Sequence, residues 1–331
     1  MNSLAPTLQK FFTSYLAGQK GASAHTISAY RDTWRLLLKY IYQHKHVRVD
    51  QVDFTDLDAE TITLFLTYLE DDRGNSPATR NARLAAIHAL FAYAAYDQIQ
   101  HADLIAKVMA IAPKRAAKPD ISYLTDPEVH ALLAAPDLTT WVGRRDQVII
   151  ATLISTGLRI SELIGTCWAD AQLDSPTYLR CSGKGRKDRT TPLDSSVVKM
   201  LGAWQEETQP STPHVPIFTA QGSQQPITAA AVTKRLAVHT QNATKKCPTL
   251  HTKSVTPHVL RHTCAMRLLA AGIDAATISL WLGHESIDST APYLHADLAI
   301  KQRALDRTAP PATKTGRYKP AQGLLKFLDS L

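Results

Sequence analysis

Residues 113–121, PKRAAKPDI, hold two prolines, three basic side chains and no apolar period. Proline fixes φ and lacks the N–H that helices and sheets need, so no regular element is expected to run through this stretch. The chain of 331 residues therefore reads as two folding units joined by a basic linker, in line with a domain size of about 150 residues. The divisions expected are 1–112, the linker 113–121, a second domain at 122–310 and a tail at 311–331.

The first hundred residues carry the 3.6-residue period of amphipathic helices. From His25 to His44, the positions Ile27, Tyr30, Trp34, Leu37, Leu38 and Ile41 form one stripe behind Ser23, a suitable cap. From Asp58 to Glu70 the stripe is Ile62, Phe65, Leu66 and Leu69. The turn DDRGNSP, with Gly74, Asn75 and Pro77, precedes Ala78 to Tyr96, where Leu84, Ile87, Phe91 and Ala94 face inward. A small all-helical bundle is expected. The pairs Arg31 and Arg35, and Arg80 and Arg83, each share a helix face and point outward in this reading. The acidic run Asp50, Asp53, Asp56, Asp58 and Glu60 leaves one side of the bundle for a polyanion.

Beyond the linker, Thr125 and Glu128 have the spacing of a capping box that opens a helix-rich region. The period then changes. Thr177–Cys181 reads as a strand, residues 182–187 as a turn, and Asp188–Leu193 as the returning strand. Helices are expected at Ser195–Thr208, Thr228–Thr240, Pro257–Ala271, Asp274–Leu282 and Asp297–Asp306. Gln322–Leu331 forms a last short amphipathic segment. The fold class is mainly α with a small antiparallel β-sheet in the second domain.

Charge narrows the partner. Residues 1–112 balance 11 basic against 11 acidic side chains, whereas residues 113–331 hold 26 against 18, the whole net charge of +8. A basic second half points to nucleic acid. No window approaches the run of about 18 apolar residues that spans a bilayer, and the N-terminus lacks the pattern of a secretory signal. The cysteines Cys167, Cys181, Cys247 and Cys264 include no C-x-x-C pair, which suits a reducing cytoplasm.

Several chemistries are excluded by motif. There is no Gly-x-Ser-x-Gly elbow, no Walker loop and no dinucleotide glycine fingerprint. Cys247, His251, His258 and His262 have the residue types of a zinc site, but Pro248 and Pro257 break the segment and Arg261 adjoins it. Arg144 and Arg145 read as surface or phosphate contacts.

A sharper pattern runs through the second half. TGLRISEL at 156–163 sets Arg159 and Glu162 three apart behind Gly157, and Lys184 sits at the tip of the hairpin in SGKGRKDR. His258-Val-Leu-Arg261-His262 opens a helix behind Pro257, Leu282-Gly283-His284 closes another, and Tyr293 follows nine residues later. In the order Arg, Lys, His-x-x-Arg, His, Tyr, the chain resembles the tyrosine recombinase (phage integrase) family, including its Xer-like members. The resemblance runs from the helical bundle to Tyr293.

It implies a helical, SAM-like core-binding domain joined to a tyrosine-recombinase catalytic domain. Arg159 and Arg261 would bind the scissile phosphate, since guanidinium is always charged and its planar fork fits two phosphate oxygens. Tyr293 would be the nucleophile, with His258 accepting its proton, His284 bonding the phosphate and Lys184 protonating the leaving 5′ oxygen. Glu162 would orient the cluster. Two fixed cations take the part that Mg²⁺ plays in other phosphoryl transfers, so no cofactor and no metal is implied. Arg31, Arg35, Arg80, Arg83, Lys114, Arg115, Lys118, Arg186, Lys187 and Arg189 are the candidate DNA contacts.

The family resemblance further implies double-stranded DNA with inverted-repeat recombination sites as partner. It implies a homo-tetramer on DNA from a free monomer or dimer, a Holliday-junction intermediate, and a place in the cytoplasm at the nucleoid, away from membranes. A C-terminal segment, 322–331 or 297–306, would dock on a neighbouring protomer. The tail and the lack of an extra N-terminal domain point to a compact enzyme borne by a mobile element. Two alternatives stay open on the residues alone: a DNA-binding architectural or regulatory protein of this fold without cleavage, and a zinc-dependent nucleic-acid hydrolase.

Overall fold

A computed structural model describes residues 3–115, 121–182 and 188–283. The chain divides into two compact units between Pro119 and Asp120.

The first unit is helical. Helix α1 (Leu4–Lys10) runs on into a π-helical stretch, Phe11–Gln19, and is followed by α2 (Ala24–Lys45), α3 (Ala59–Asp71), α4 (Pro77–Ala94) and α5 (Ala102–Met109). Each long helix starts where a side-chain oxygen takes a free N–H: Ser23 from Thr26 at 3.2 Å, Asp58 from Thr61 at 2.7 Å, and Ser76 from Thr79 at 3.3 Å. Pro77 fits the first turn of α4 because no partner is needed for its missing donor. The expected stripes close the core: Trp34, Leu37 and Ile41 meet Ile62, Phe65, Leu66, Leu69, Leu84, Ile87, Phe91 and Ala94, all buried. Helix α1, the π-helical stretch and α5 add Leu4, Phe11, Leu16, Ile105 and Val108 to the same core.

One expected surface charge is inside. Arg80 is only 6% exposed, because at i, i+4, i+7 spacing it stands on the stripe of Leu84, Ile87 and Phe91. Its Nη1 donates to Asn81 Oδ1 (3.1 Å) and Ala112 O (3.4 Å), and Nε lies 3.8 Å from Glu70. Arg80 thus braces α4 against the segment leaving the unit and does not face outward beside Arg83. The latter is half-buried and donates to Thr33 Oγ1 at 3.3 Å.

The second unit begins with α6 (Asp126–Leu133), opened by a 2.8 Å bond from the Thr125 N–H to the Glu128 carboxylate. Helix α7 (Trp141–Thr156) buries Val148, Ile149, Ile150, Leu153 and Ile154, so it lies in the core on more than one face. After α8 (Ile160–Gly165) come β1 (Ala171–Gln172), β2 (Tyr178–Ser182) and β3 (Asp188–Pro192), an antiparallel sheet in the order β1-β2-β3. The register pairs Tyr178 with Pro192 and Ser182 with Asp188. Helices α9 (Ser195–Thr208), α10 (Ala229–Ala243), α11 (Pro257–Ala270) and α12 (Ala275–Leu282) complete the described chain. Leu153, Leu158, Leu163, Leu179, Leu201, Phe218, Leu236 and Leu260 belong to one core, and Ile278 and Leu282 of α12 pack with Cys264, Ala265, Met266 and Leu269 of α11 in a second cluster.

Arg145 is also inside, contrary to expectation. It lies in α7 beside Asp146, a carboxylate only 2% exposed that also receives Arg235 and, at 2.8 Å, His239 from α10. Two arginines around one buried acid explain why a charged pair survives in the core. Arg144 instead pairs with Glu207 near the surface. Among the described residues, no helix is long and apolar enough to cross a membrane.

Candidate active site

The site begins where α7 ends. Gly157, at φ +63°, closes that helix in the left-handed region, and a Cβ there would lie 2.5 Å from Leu282 Cδ2 and 3.1 Å from Cys264 Sγ. Glycine is needed both for the turn and for the close approach of α11 and α12. The turn delivers Arg159 to the start of α8, where Glu162 Oε2 accepts the Arg159 N–H at 2.7 Å.

Glu162 is the hub. It is 5% exposed, and its Oε1 also accepts Arg159 Nη1 at 2.9 Å. Arg189 from β3 grips the same carboxylate with a two-pronged fork, Nη1 to Oε1 and Nη2 to Oε2, both 2.8 Å. Burial pushes the Glu162 pKa up, but the Arg189 fork, the Arg159 bonds and the Arg189 charge outweigh it and hold the carboxyl below its ordinary value.

Arg189 departs from its expected place among the DNA contacts. Its side chain is 13% exposed. Strand alternation explains the difference: Arg189 shares a face with Thr191, which is buried.

The C-terminal end of α12 ties the arginines together. Arg189 Nε donates to Trp281 O (3.2 Å), Arg261 Nη2 to Leu282 O (2.6 Å) and Arg159 Nη2 to Gly283 O (3.1 Å). Three successive carbonyls, which a helix end leaves without intrahelical partners, thus receive three guanidinium groups at the negative end of the helix dipole. Arg261, 3% exposed, also donates to Gly157 O at 2.6 Å. Gly283 is left-handed at φ +62°, and a Cβ on it would lie 2.8 Å from Arg189 Nη1.

Two histidines stand on the same helix as Arg261. His258 is the second residue of α11, behind Pro257 and the Thr256 cap. Its ring meets that of His262 edge to face, with centroids 4.2 Å apart. Burial, then the charges of Arg261 and Arg159, lower the His258 pKa, so the ring favours its neutral form. Burial, His258 and Arg261 bring His262 down to about 4.

The structure thus gathers Arg159, Glu162 and Arg261, with His258 one turn before Arg261 on α11. It adds Arg189 and His262, whose places here the motif reading missed. Arg31 and Arg35 are exposed on α2, Arg31 bonding Ser28 and Asp32. Lys114 is ion-paired to Glu70 at 2.7 Å, and Arg115 is exposed. Lys118, Lys184, Arg186, Lys187, His284 and Tyr293 lie outside the described residues, as do the segments expected at 297–306 and 311–331. The zinc spacing does not converge: among the described residues no group of three or more His, Cys, Asp or Glu side chains could hold a metal ion.

Residues 122–299 match the phage integrase family, and residues 10–98 match the phage integrase N-terminal SAM-like domain. A Sinorhizobium fredii (strain NBRC 101917 / NGR234) protein named as the integrase/recombinase y4rC is 44% identical over 329 residues, 99% of this chain and 98% of its own. Tyrosine recombinase XerD of Staphylococcus saprophyticus is 31% identical over 295 residues, 87% of this chain and 94% of its own. The solved structure of the Tn1549 transposon integrase with transposon right-end DNA shares the fold, with a TM-score of 0.69 at 18% identity over 91% of this chain and 99% of that one. The chain belongs to the phage integrase family and is a tyrosine-type site-specific recombinase, an enzyme that cleaves and rejoins DNA.

Proposed function

We propose that Tyr293 cuts one DNA strand at a phosphate held by Arg159 and Arg261. The phenol oxygen attacks phosphorus, the bond to the 5′ oxygen breaks, and a 3′-phosphotyrosyl link forms. A free phenol has a pKa of about 10 and needs a base at neutral pH; His258, favoured in its neutral form, takes the proton. Lys184 gives a proton to the leaving 5′ oxygen, and His284 bonds the phosphate. A 5′-hydroxyl from a second duplex reverses the step and joins new partners. The link conserves the ester, so no nucleotide is consumed.

The observation that carries this reading is the anchoring of Arg159 and Arg261 on neighbouring carbonyls at the end of α12, those of Gly283 and Leu282. Cations held in place before substrate arrives need no reorganisation in the transition state. The finer reading is a homo-tetramer acting on two inverted-repeat sites through a Holliday junction, in the cytoplasm at the nucleoid, in the service of a mobile element. Arg31, Arg35, Arg83, Lys114, Arg115, Lys118, Arg186 and Lys187 supply phosphate contacts, and a C-terminal segment docks between protomers.

Covalent trapping tests it. The wild type and Tyr293→Phe are incubated in EDTA with nicked DNA from the flanks of the gene. A denaturant-resistant adduct at a 3′ end, absent from the variant, is expected. Free-ended cuts that require an added metal, or binding with no adduct on any flank, would overturn it.

A further inference from the structure

We propose that Arg189 is a positioning residue that keeps the charge of Arg159 available to the scissile phosphate by holding Glu162 in common with it. The inference rests on the cleavage reading above. A carboxylate offers about four lone-pair sites, and Glu162 receives four N–H groups: the Arg159 backbone and Nη1, and Arg189 Nη1 and Nη2. Arg189 in turn has Nε on Trp281 O, so each of its three nitrogens donates to a partner within the protein.

The electrostatics follow from the sharing. A buried glutamate that bonds Arg159 orients it, but alone it would also cancel its charge. With Arg189 on the same carboxylate, the three groups sum to one positive charge, and Arg159 keeps its attraction for an anion. The side chain of Arg159 is 38% exposed, whereas those of Glu162 and Arg189 are 3% and 13% exposed. The open cation therefore faces solvent while its anchor and counter-charge lie beneath it. Removing Arg189 frees two lone pairs of Glu162 to close on Arg159 as a two-pronged pair, which competes with the phosphate. Gly283 shows how closely the guanidinium is fitted, since there is no room for a Cβ against it.

The test is the single-turnover rate of adduct formation on a nicked DNA site, for a normal phosphate and for a neutral methylphosphonate at the scissile position. Arg189→Gln, Arg189→Lys, Glu162→Gln and the double variant Glu162→Gln/Arg189→Gln are compared, with thermal unfolding as a check of folding. On phosphate, Arg189→Gln is expected to lose about 10- to 100-fold, by analogy with the partners that orient metal-binding side chains. Arg189→Lys, which keeps the charge and loses the fork, is expected to lose less. The double variant is expected to react faster than Arg189→Gln, because the uncompensated carboxylate is gone. On methylphosphonate, which no longer demands the cation, the Arg189→Gln loss is expected to shrink towards none.

Equal losses on phosphate and methylphosphonate, or a double variant no faster than Arg189→Gln, would overturn the proposal. So would losses that track a reduced salt dependence of DNA binding, which marks a direct phosphate contact. If Arg189→Gln does not fold, the ratio of the two substrates for Arg189→Lys decides alone. A wild type that forms no adduct would instead remove the cleavage reading, and this inference with it.

Discussion

Gly157 and Leu282 approach so closely that a Cβ on the glycine would stand 2.5 Å from the leucine Cδ2. The contact brings the end of α7 against the end of α12, the two places from which Arg261 takes its carbonyl partners. Gly157→Ala must therefore bear both a left-handed backbone and an overfilled core. A loss of about 2–4 kcal/mol is expected in urea unfolding. Gly272 is the comparison: it too is left-handed, at φ +89°, but nothing lies within 4 Å of its absent Cβ. Gly272→Ala is expected to lose about 1–2 kcal/mol, the backbone share alone. Equal losses at the two sites would contradict the packing argument.

Arg261→Lys keeps a positive charge but cannot span Gly157 O and Leu282 O with a planar fork. The rate of adduct formation is expected to fall about 10²- to 10³-fold, as when one preorganised donor is lost. Gel-shift affinity for the same DNA should change far less, since many phosphates share the binding. A rate within a few-fold of wild type would show that the charge alone suffices.

His262 ties stability to pH. Its folded pKa, about 4, lies below the ordinary value of 6.5, so between those values the unfolded chain binds more protons than the folded one. The contribution is fully present above pH 6.5 and is lost as pH falls towards 4. Urea midpoints are expected to decline across that window in the wild type and to decline less in His262→Gln. The depressed carboxyl of Glu162 adds a further loss at lower pH in both proteins. Parallel declines in the two proteins between pH 6.5 and 4 would remove His262 as the source.

Arg80 and Arg35 should separate cleanly. Arg80→Ala leaves Glu70 short of a buried neighbour and empties a core position, so a stability loss of about 1–3 kcal/mol is expected. Arg35→Ala, on an exposed face, is expected to stay within about 0.5 kcal/mol of the wild type. Instead it should lower the salt dependence of DNA binding by about one unit. The pair of measurements, urea unfolding and binding against salt, distinguishes the inner arginine from the outer one.

The helices of the first unit were legible because apolar period and cap residues are local. What the spacing could not disclose was the fate of charges whose partners lie far along the chain. Arg80 stands on an apolar stripe and belongs inside once Glu70 and the distant Ala112 carbonyl are there to receive it. Asp146 finds Arg235 and His239 about ninety residues away, a meeting no window of sequence contains. In the site, Arg159, Glu162, His258 and Arg261 were legible through motif order. Arg189 reads as a DNA contact because the nearby Arg186 and Lys187 are basic; the alternation with Thr191 along the strand is the signal that it turns inward.

The end of α12 has a further consequence. Trp281, Leu282 and Gly283 are consecutive residues, so the carbonyls that receive Arg189, Arg261 and Arg159 are spaced by peptide geometry at the end of the helix and its left-handed cap. The guanidinium groups arrive from a strand, a helix and a turn, yet all are measured against one ruler. Each long side chain reaches its carbonyl from a different element, so the spacing of the charges is set by the end of the helix. A cationic site built this way tolerates drift in its surrounding core and is sensitive to a break in one short stretch of backbone.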